Sequence, residues 1–216
     1  MIPKIVIQTS KHPIEPFVVT ELKKFLSAEW EYRWFDDNAI IEFFISNPLE
    51  EFPDIIKVFN DLKSGPHKAD LFRYYFMYIN GGVFIDSDAM LKVNLDSIIN
   101  DYPCAFFAPL TVNKSLKERR EIDRAFNGFM GCSKNNKIVY DALKDLYTID
   151  HVELENDYHI VCRNLTTFIH KHSNEIKVHL FHELCDLPGI GRTFESSTGI
   201  TLLHHYYRTK VPNDLN

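Results

Sequence analysis

Residues 65–90, GPHKADLFRYYFMYINGGVFIDSDAM, constrain this chain more than any other stretch. Leu71, Tyr74, Tyr75 and Tyr78 recur at the spacing of one helical face. Ala69, Phe72, Phe76 and Ile79 cover a second face, and a helix apolar on two faces belongs inside a protein. Pro66 suits the first turn, where its missing N–H is not needed, and Gly81-Gly82 is a stop signal. The remaining stripe carries Asp70, Arg73 and Met77, so two charged groups lie side by side on a helix that otherwise avoids water. Val83-Phe84-Ile85 then reads as a short central strand. A buried helix that runs straight into a buried strand requires layered α/β packing.

The strand ends in Asp86-Ser87-Asp88. Strand positions i and i+2 face the same way, so both carboxylates converge on one point. Two unpaired carboxylates that close repel until one takes up a proton or a cation intervenes. Hard divalent cations such as Mn²⁺ and Mg²⁺ prefer carboxylate oxygens and often share them with substrate phosphates. In open α/β sheets, ligands bind beyond the carboxyl ends of the strands. The residues alone therefore point to a metal–diphosphate site at Asp86 and Asp88.

The rest of the chain reads as alternating strands and helices. Strands are expected at 2–9, 31–35, 104–108, 125–132 (interrupted at Asn127-Gly128), 176–181 and 200–204. Helices are expected at 17–26, 38–46 (capped by Asp37 or Asn38), 49–62, 136–147 and 157–172. This order calls for a Rossmann-like, mixed but mostly parallel central sheet flanked by helices. A glycine inside a strand, as at Gly128, often marks close backbone approach to a ligand. Gly189-Ile190-Gly191 precedes no helical pattern and reads as a turn, and residues 114–124, KSLKERREIDR, read first as a solvated charged helix or loop, the functional alternative being an acceptor-side loop that orders when substrate arrives.

With 216 residues and no internal repeat or composition break, one domain over 1–216 is expected. The net charge of −6 argues against a nucleic-acid partner held by general electrostatics. Cys104, Cys132, Cys162 and Cys185 lack metal-site spacing and read as buried thiols of a reducing compartment. No apolar run is long enough to span a bilayer and no signal core opens the chain. The expected location is cytoplasmic (the host cytoplasm for a viral protein), either as a whole protein or as a piece of a longer one.

Four segments, IPKIVIQTS (2–10), ADLFRYYFMYINGGVFIDSD (69–88), NGFMGC (127–132) and HHYYRT (204–209), resemble the DXD-type glycosyltransferases of the GT-A fold. The similarity is to family 32 enzymes, including the yeast initiating mannosyltransferase and bacterial capsule enzymes, and to the clostridial glucosylating toxins. The chain's size also resembles that of a chlorovirus capsid-glycan glycosyltransferase domain. The resemblance implies a Mn²⁺- or Mg²⁺-dependent transferase that takes a nucleotide-diphosphate sugar, UDP-linked, and passes the sugar with retention to a glycan or protein-linked glycan. It implies Asp86 and Asp88 on the metal, with His205, just before an aromatic residue, as a third ligand. It places Asp70 and Arg73 at the donor sugar, Gln8 and Thr9 at the nucleotide, and Ser87 and Asn127 along the donor. The family's C-terminal Ser-Trp is Thr209-Lys210 here, and its Thr-Gly-Pro segment is replaced near Asp157-Tyr158-His159, where Asp157 is the expected sugar-contacting carboxylate.

Two rival readings remain. An aspartyl-phosphate phosphatase also begins with a strand and D-x-D, but it calls for Thr or Val where Met90 stands. A sugar-nucleotide-binding module without turnover differs only in lacking catalysis.

Overall fold

A computed structural model describes residues 1–111, 124–187 and 189–206, with only the backbone given for 185–187. In chain order the elements are β1 Ile5–Thr9, α1 Pro16–Lys23, β2 Glu31–Phe35, α2 Asp37–Ser46, α3 Ile55–Asp61, α4 Gly65–Asn80, β3 Gly82–Ile85, β4 Ala89–Leu91, α5 Leu95–Asp101, β5 Phe106–Thr111, β6 Arg124–Ala125, β7 Phe129–Cys132, α6 Lys137–Thr148, α7 His151–Asn156, α8 Ile160–His172, β8 Val178–Leu187, β9 Ile190–Phe194 and β10 Thr201–His205. The strands form one sheet in the order β2-β1-β3-β7-β5-β8-β9-β10-β4, with β6 beside β5.

Strand alternation divides the interior in two. Phe84, Phe106 and Met130 point to the side covered by α2, α3, α4, α6 and α8. Their neighbours Val83, Ile85, Phe107 and Phe129 point to the other side, against Leu22 of α1 and Leu95 and Ile98 of α5. Helix α4 is buried without interruption from Asp70 to Met77, as its two apolar faces require. It packs into an aromatic cluster in which Phe44 and Tyr75 lie 4.8 Å apart, edge to face. Such pairs contribute about 0.5–1.5 kcal/mol beyond burial. The glycine stop is sterically obligatory: Gly82 has φ +111°, and a Cβ there would lie 2.7 Å from the Ile5 carbonyl oxygen.

The α/β class stands, but the expected predominance of parallel pairing does not. Among the described residues, parallel pairing is confined to β2-β1-β3 and to β5 with β8. Strand β7 runs antiparallel to both its neighbours, and β8, β9, β10 and β4 are joined antiparallel. Short connections such as the one from β8 to β9 impose this, because a parallel joint needs a long crossover. Of the turn expected at residues 189–191, Gly189 lies in a turn with φ +77°, and Ile190 and Gly191 already open β9. The expected cap of α2 moves to Asp36, whose carboxylate accepts from the Ala39 N–H at 2.8 Å. The expected loop at 114–124 lies outside the described residues except for Arg124 in β6, as do Thr209 and Lys210.

One feature of the topology positions the site. Strands β3 and β4 stand six places apart in the sheet, yet only Asp86-Ser87-Asp88 joins them. A flat sheet would separate them by about 29 Å at roughly 4.8 Å per strand, whereas the link reaches about 14 Å. The sheet must therefore curl until its far end meets the end of β3. The closure is recorded by His205 pairing with Ala89, and by the Tyr206 N–H bonding to the Asp88 carbonyl at 2.9 Å. The acidic triplet thus sits where the curled sheet closes on itself.

Candidate active site

A cleft of about 1020 Å³ opens above this closure. It is lined by the triplet Asp86, Ser87 and Asp88, by Asp70 and Arg73 of α4, and by Asn127 between β6 and β7. Thr9 lies at its edge. The Arg73 guanidinium is the hub of a network beneath it. It donates to Asp86 Oδ1 at 3.0 Å and to the Asn127 carbonyl at 2.7 Å, and lies 3.1 Å from Asp70 Oδ1. Its plane sits 3.7 Å over the Phe84 ring. The Asn127 amide donates to Asp70 Oδ1 at 2.9 Å and meets the Tyr74 hydroxyl at 3.0 Å. Helical spacing puts Asp70, Arg73 and Tyr74 on neighbouring turns, and the Asn127-Gly128 break in the strand brings the fourth partner.

Burial pushes the Asp70 carboxyl above the usual aspartate range, against the pull of Arg73 and His67. Burial and the neighbouring Asp86 likewise raise Asp88, with His205 opposing. A carboxylate destabilised by a like charge is what a divalent cation relieves, so the donor chemistry of Asp86 and Asp88 fits a hard metal ion.

Not every expected group converges there. Among the described residues, no three His, Cys, Asp or Glu side chains form a ready metal-ligand set. His205, expected as the third ligand, is fully buried under the cleft. Its ring meets Phe126 edge-on at 4.6 Å, and its Nδ1 lies 3.6 Å from Glu183. Burial works against its protonation, but Glu183, Asp86 and Asp88 outweigh that and hold its pKa above the usual range. Gln8, expected at the nucleotide, is also fully buried. Its amide donates to the Asp86 carbonyl at 3.1 Å and accepts from the Tyr32 hydroxyl at 3.0 Å, so it supports the triplet from below. Asp157, expected at the sugar, is instead bound to Arg163 in an exposed ion pair. It closes the short helix α7, and its carboxylate also caps the next turn at the His159 N–H, which turns it away from the cleft.

The structure adds residues that the sequence reading did not single out. Glu183 lines the cleft while almost wholly buried, and accepts from the Thr193 hydroxyl. Its signal was a charged residue inside an apolar strand, but the expected strand ended at 181. Cys162 also faces the cleft, and burial pushes its thiol up to about 12. Met90 is buried in β4 opposite His204, remote from the role the phosphatase reading would give its position.

Residues 17–105 match the family model for a glycosyltransferase sugar-binding region containing a DXD motif. That stretch, less than half of the chain, contains the triplet Asp86-Ser87-Asp88, and Asp70 and Arg73 fall within the same match. The chain is 32% identical over 71 residues to the initiation-specific alpha-1,6-mannosyltransferase of Saccharomyces cerevisiae, covering 33% of this chain and 15% of that protein. It is 26% identical over 152 residues to an uncharacterized glycosyltransferase of Acanthamoeba polyphaga mimivirus, covering 68% of this chain and 56% of that one. The chain therefore spans little more than half of the second relative and much less of the first. Among solved structures, the PaToxG glycosyltransferase superposes with a TM-score of 0.56 at 12% identity, covering 79% of this chain and 70% of that one. That likeness establishes the GT-A fold. No helix among the described residues is long and apolar enough to cross a membrane.

Gly128 makes the acidic end possible. A Cβ at this position would lie 2.1 Å from Asp86 Oδ2 and 2.3 Å from the Phe126 ring. Gly128→Ala must therefore push Asp86 or Phe126 aside. Overpacking of this kind costs about 1–3 kcal/mol of stability. A larger loss is expected in metal-dependent nucleotide binding, on the order of 10–100-fold, as for other displaced metal-site groups. Thermal melting and calorimetry on the same variant separate the two effects.

Proposed function

We propose that the chain is a metal-dependent glycosyltransferase that uses a nucleotide-diphosphate sugar, UDP-linked, and a glycan or protein-linked glycan acceptor. The observation that carries this reading is the Asp86-Ser87-Asp88 triplet at the mouth of the cleft, braced by the buried Asp70–Arg73–Asn127 network. Asp86 and Asp88 would hold Mn²⁺ or Mg²⁺. Once bound, the cation neutralises charge on the departing diphosphate, a Lewis-acid contribution.

The chain's own residues do the rest. Asp70 accepts from donor-sugar hydroxyls, and Arg73 fixes Asp70 and Asp86 relative to each other. Arg suits that role because its planar fork stays charged and serves several acceptors at once. Asn127 positions Asp70, and Gln8, held by Tyr32, fixes the backbone from which Asp86 projects. Thr9 and Ser87 face the nucleotide. His205 supports the closure from beneath, beside Glu183. Holding the acceptor hydroxyl against the anomeric carbon contributes through proximity, and the resemblance to retaining enzymes favours retention.

Calorimetry with UDP is expected to show binding that tightens at least about tenfold on adding Mn²⁺, a gain of roughly 1.4 kcal/mol. Metal-independent binding would remove the basis of the reading. Hydrolysis of a UDP-sugar in the same buffer separates an enzyme from a binding module, since the module would bind without turnover.

A further inference from the structure

A second cavity of about 330 Å³ adjoins the cleft, and Tyr158 lines both. The two are also joined along α4. Its cap Ser64 and first-turn His67 line the second cavity, while Asp70 and Arg73 line the first. At about 1.5 Å of rise per residue, His67 stands roughly 4.5 Å along the axis from Asp70, less than one turn. Anything seated in the second cavity is therefore a near neighbour of the group at Asp70.

The lining is mixed in a way that limits the ligand. Leu154 supplies an apolar floor, and the Tyr158 side chain, 58% exposed, is tilted against the His67 ring at 5.6 Å. Around this platform stand the Ser64 hydroxyl and the Lys63–Glu155 pair, 2.7 Å apart. Lys63 already faces Glu155, and the rest of the lining, His67 and His151 included, holds no other Lys or Arg, so the rim offers a phosphate or other anion no fixed cation of its own. Exposed donors and acceptors around an aromatic face suit a neutral, polyhydroxylated ring with one apolar face. The volume lies at the small end of ligand pockets, roughly 300–1,000 Å³.

We propose that this cavity is an acceptor subsite. It holds a neutral saccharide unit of the glycan, adjacent to the unit that receives the transferred sugar, with the chain of sugars passing over Tyr158 between the two cavities. The proposal rests on the glycosyltransferase reading of the cleft, and it names the acceptor's chemistry: at least two linked neutral sugars.

The test is an amide NMR titration of the isotope-labelled chain with lactose, cellobiose and α-1,6-mannobiose, first alone and then with UDP and Mg²⁺ present. At least one disaccharide should shift the amides of residues 62–65, 67 and 151–158 at millimolar concentration. Those shifts should persist when UDP and Mg²⁺ are added, and should fall at least tenfold in apparent affinity in Ser64→Trp, whose side chain fills the cavity. Melting of that variant confirms that it is folded, and Ser64→Ala, which leaves the cavity open, should keep the shifts. Silence from all three sugars at these segments overturns the proposal, as do shifts that vanish when UDP and Mg²⁺ are added, because the sugar then occupies only the cleft. The outcome is separable from the reading of the cleft: if UDP and Mg²⁺ fail to move the amides around residues 86–88, the glycosyltransferase reading falls whatever the disaccharides do.

Discussion

Asp88→Ala is expected to abolish metal-dependent UDP binding and UDP-sugar hydrolysis while leaving the fold intact. Asp88 is half-buried on the three-residue link that closes the sheet, and both burial and Asp86 disfavour its charge. Removing the carboxylate takes away a repulsion, and the backbone contribution to closure, the bond from the Tyr206 N–H to the Asp88 carbonyl, is unaffected. The melting temperature should therefore stay level or rise slightly. Affinity for UDP in the presence of Mn²⁺ should fall on the order of 100-fold or more, since groups that merely orient a metal ligand already account for 10–100-fold. Calorimetry with and without Mn²⁺ reads the loss. A variant that still tightened on UDP when metal was added would place the cation elsewhere.

Arg73→Met is expected to act in the opposite order, on the fold first. The guanidinium is buried and serves Asp86, Asp70 and the Asn127 carbonyl together. Methionine keeps much of the contact with Phe84 but leaves the Asp70 carboxylate buried without its cation. Breaking a buried pair from one side costs about 3–5 kcal/mol. For a chain of this size each kcal/mol lowers the melting temperature by about 2–4 °C, so a fall of roughly 6–20 °C is expected.

The loss should depend on pH. Asp70 already has a folded pKa raised above the ordinary 3.8, chiefly by burial, and Arg73 is the first of the groups that hold it down. Without Arg73 it rises further. The folded state then binds more protons than the unfolded state from about the ordinary aspartate value up to the raised one, so stability falls as pH rises through that window. The variant should lie nearest to wild type in acid and furthest from it at neutral pH. Adding Asp70→Asn to Arg73→Met should recover part of the neutral-pH loss, and a double-mutant cycle measures how much. A loss that did not vary with pH would mean that packing, not charge, dominates at Arg73.

The sequence made the centre of this protein legible because that centre is local. Helix α4, its glycine stop, β3 and the acidic triplet lie within one continuous stretch, so periodicity and spacing report directly on which residues share a face. Asp70, Arg73, Asp86 and Asp88 line one cleft for that reason. The break at Asn127-Gly128 was equally readable, because a glycine inside a strand has few explanations other than close approach, here by Asp86.

What went astray depended on distant pairing. Strand β4 has only three residues and exists because β10 returns to meet it, which no local pattern announces. Once the sheet curls, His205 lies fully buried close to Asp86 and Asp88, and Glu183 arrives from β8 beside it. Gln8 stands one residue before the end of β1, where a polar side chain suits either a binding role or a supporting one. Only the meeting of β1, β2 and β3 puts Tyr32 on one side of it and the Asp86 carbonyl on the other. Asp157 stands near the place of a family segment this chain lacks, and a nearby arginine and a helix end hold its carboxylate. Taken alone, then, the sequence determined the class of fold, the buried helix and the acidic pair, because those follow from side-chain order along adjoining elements. Which polar groups face the cleft and which brace it from below was decided by the curl of the sheet, because a strand's neighbours across the sheet come from anywhere in the chain.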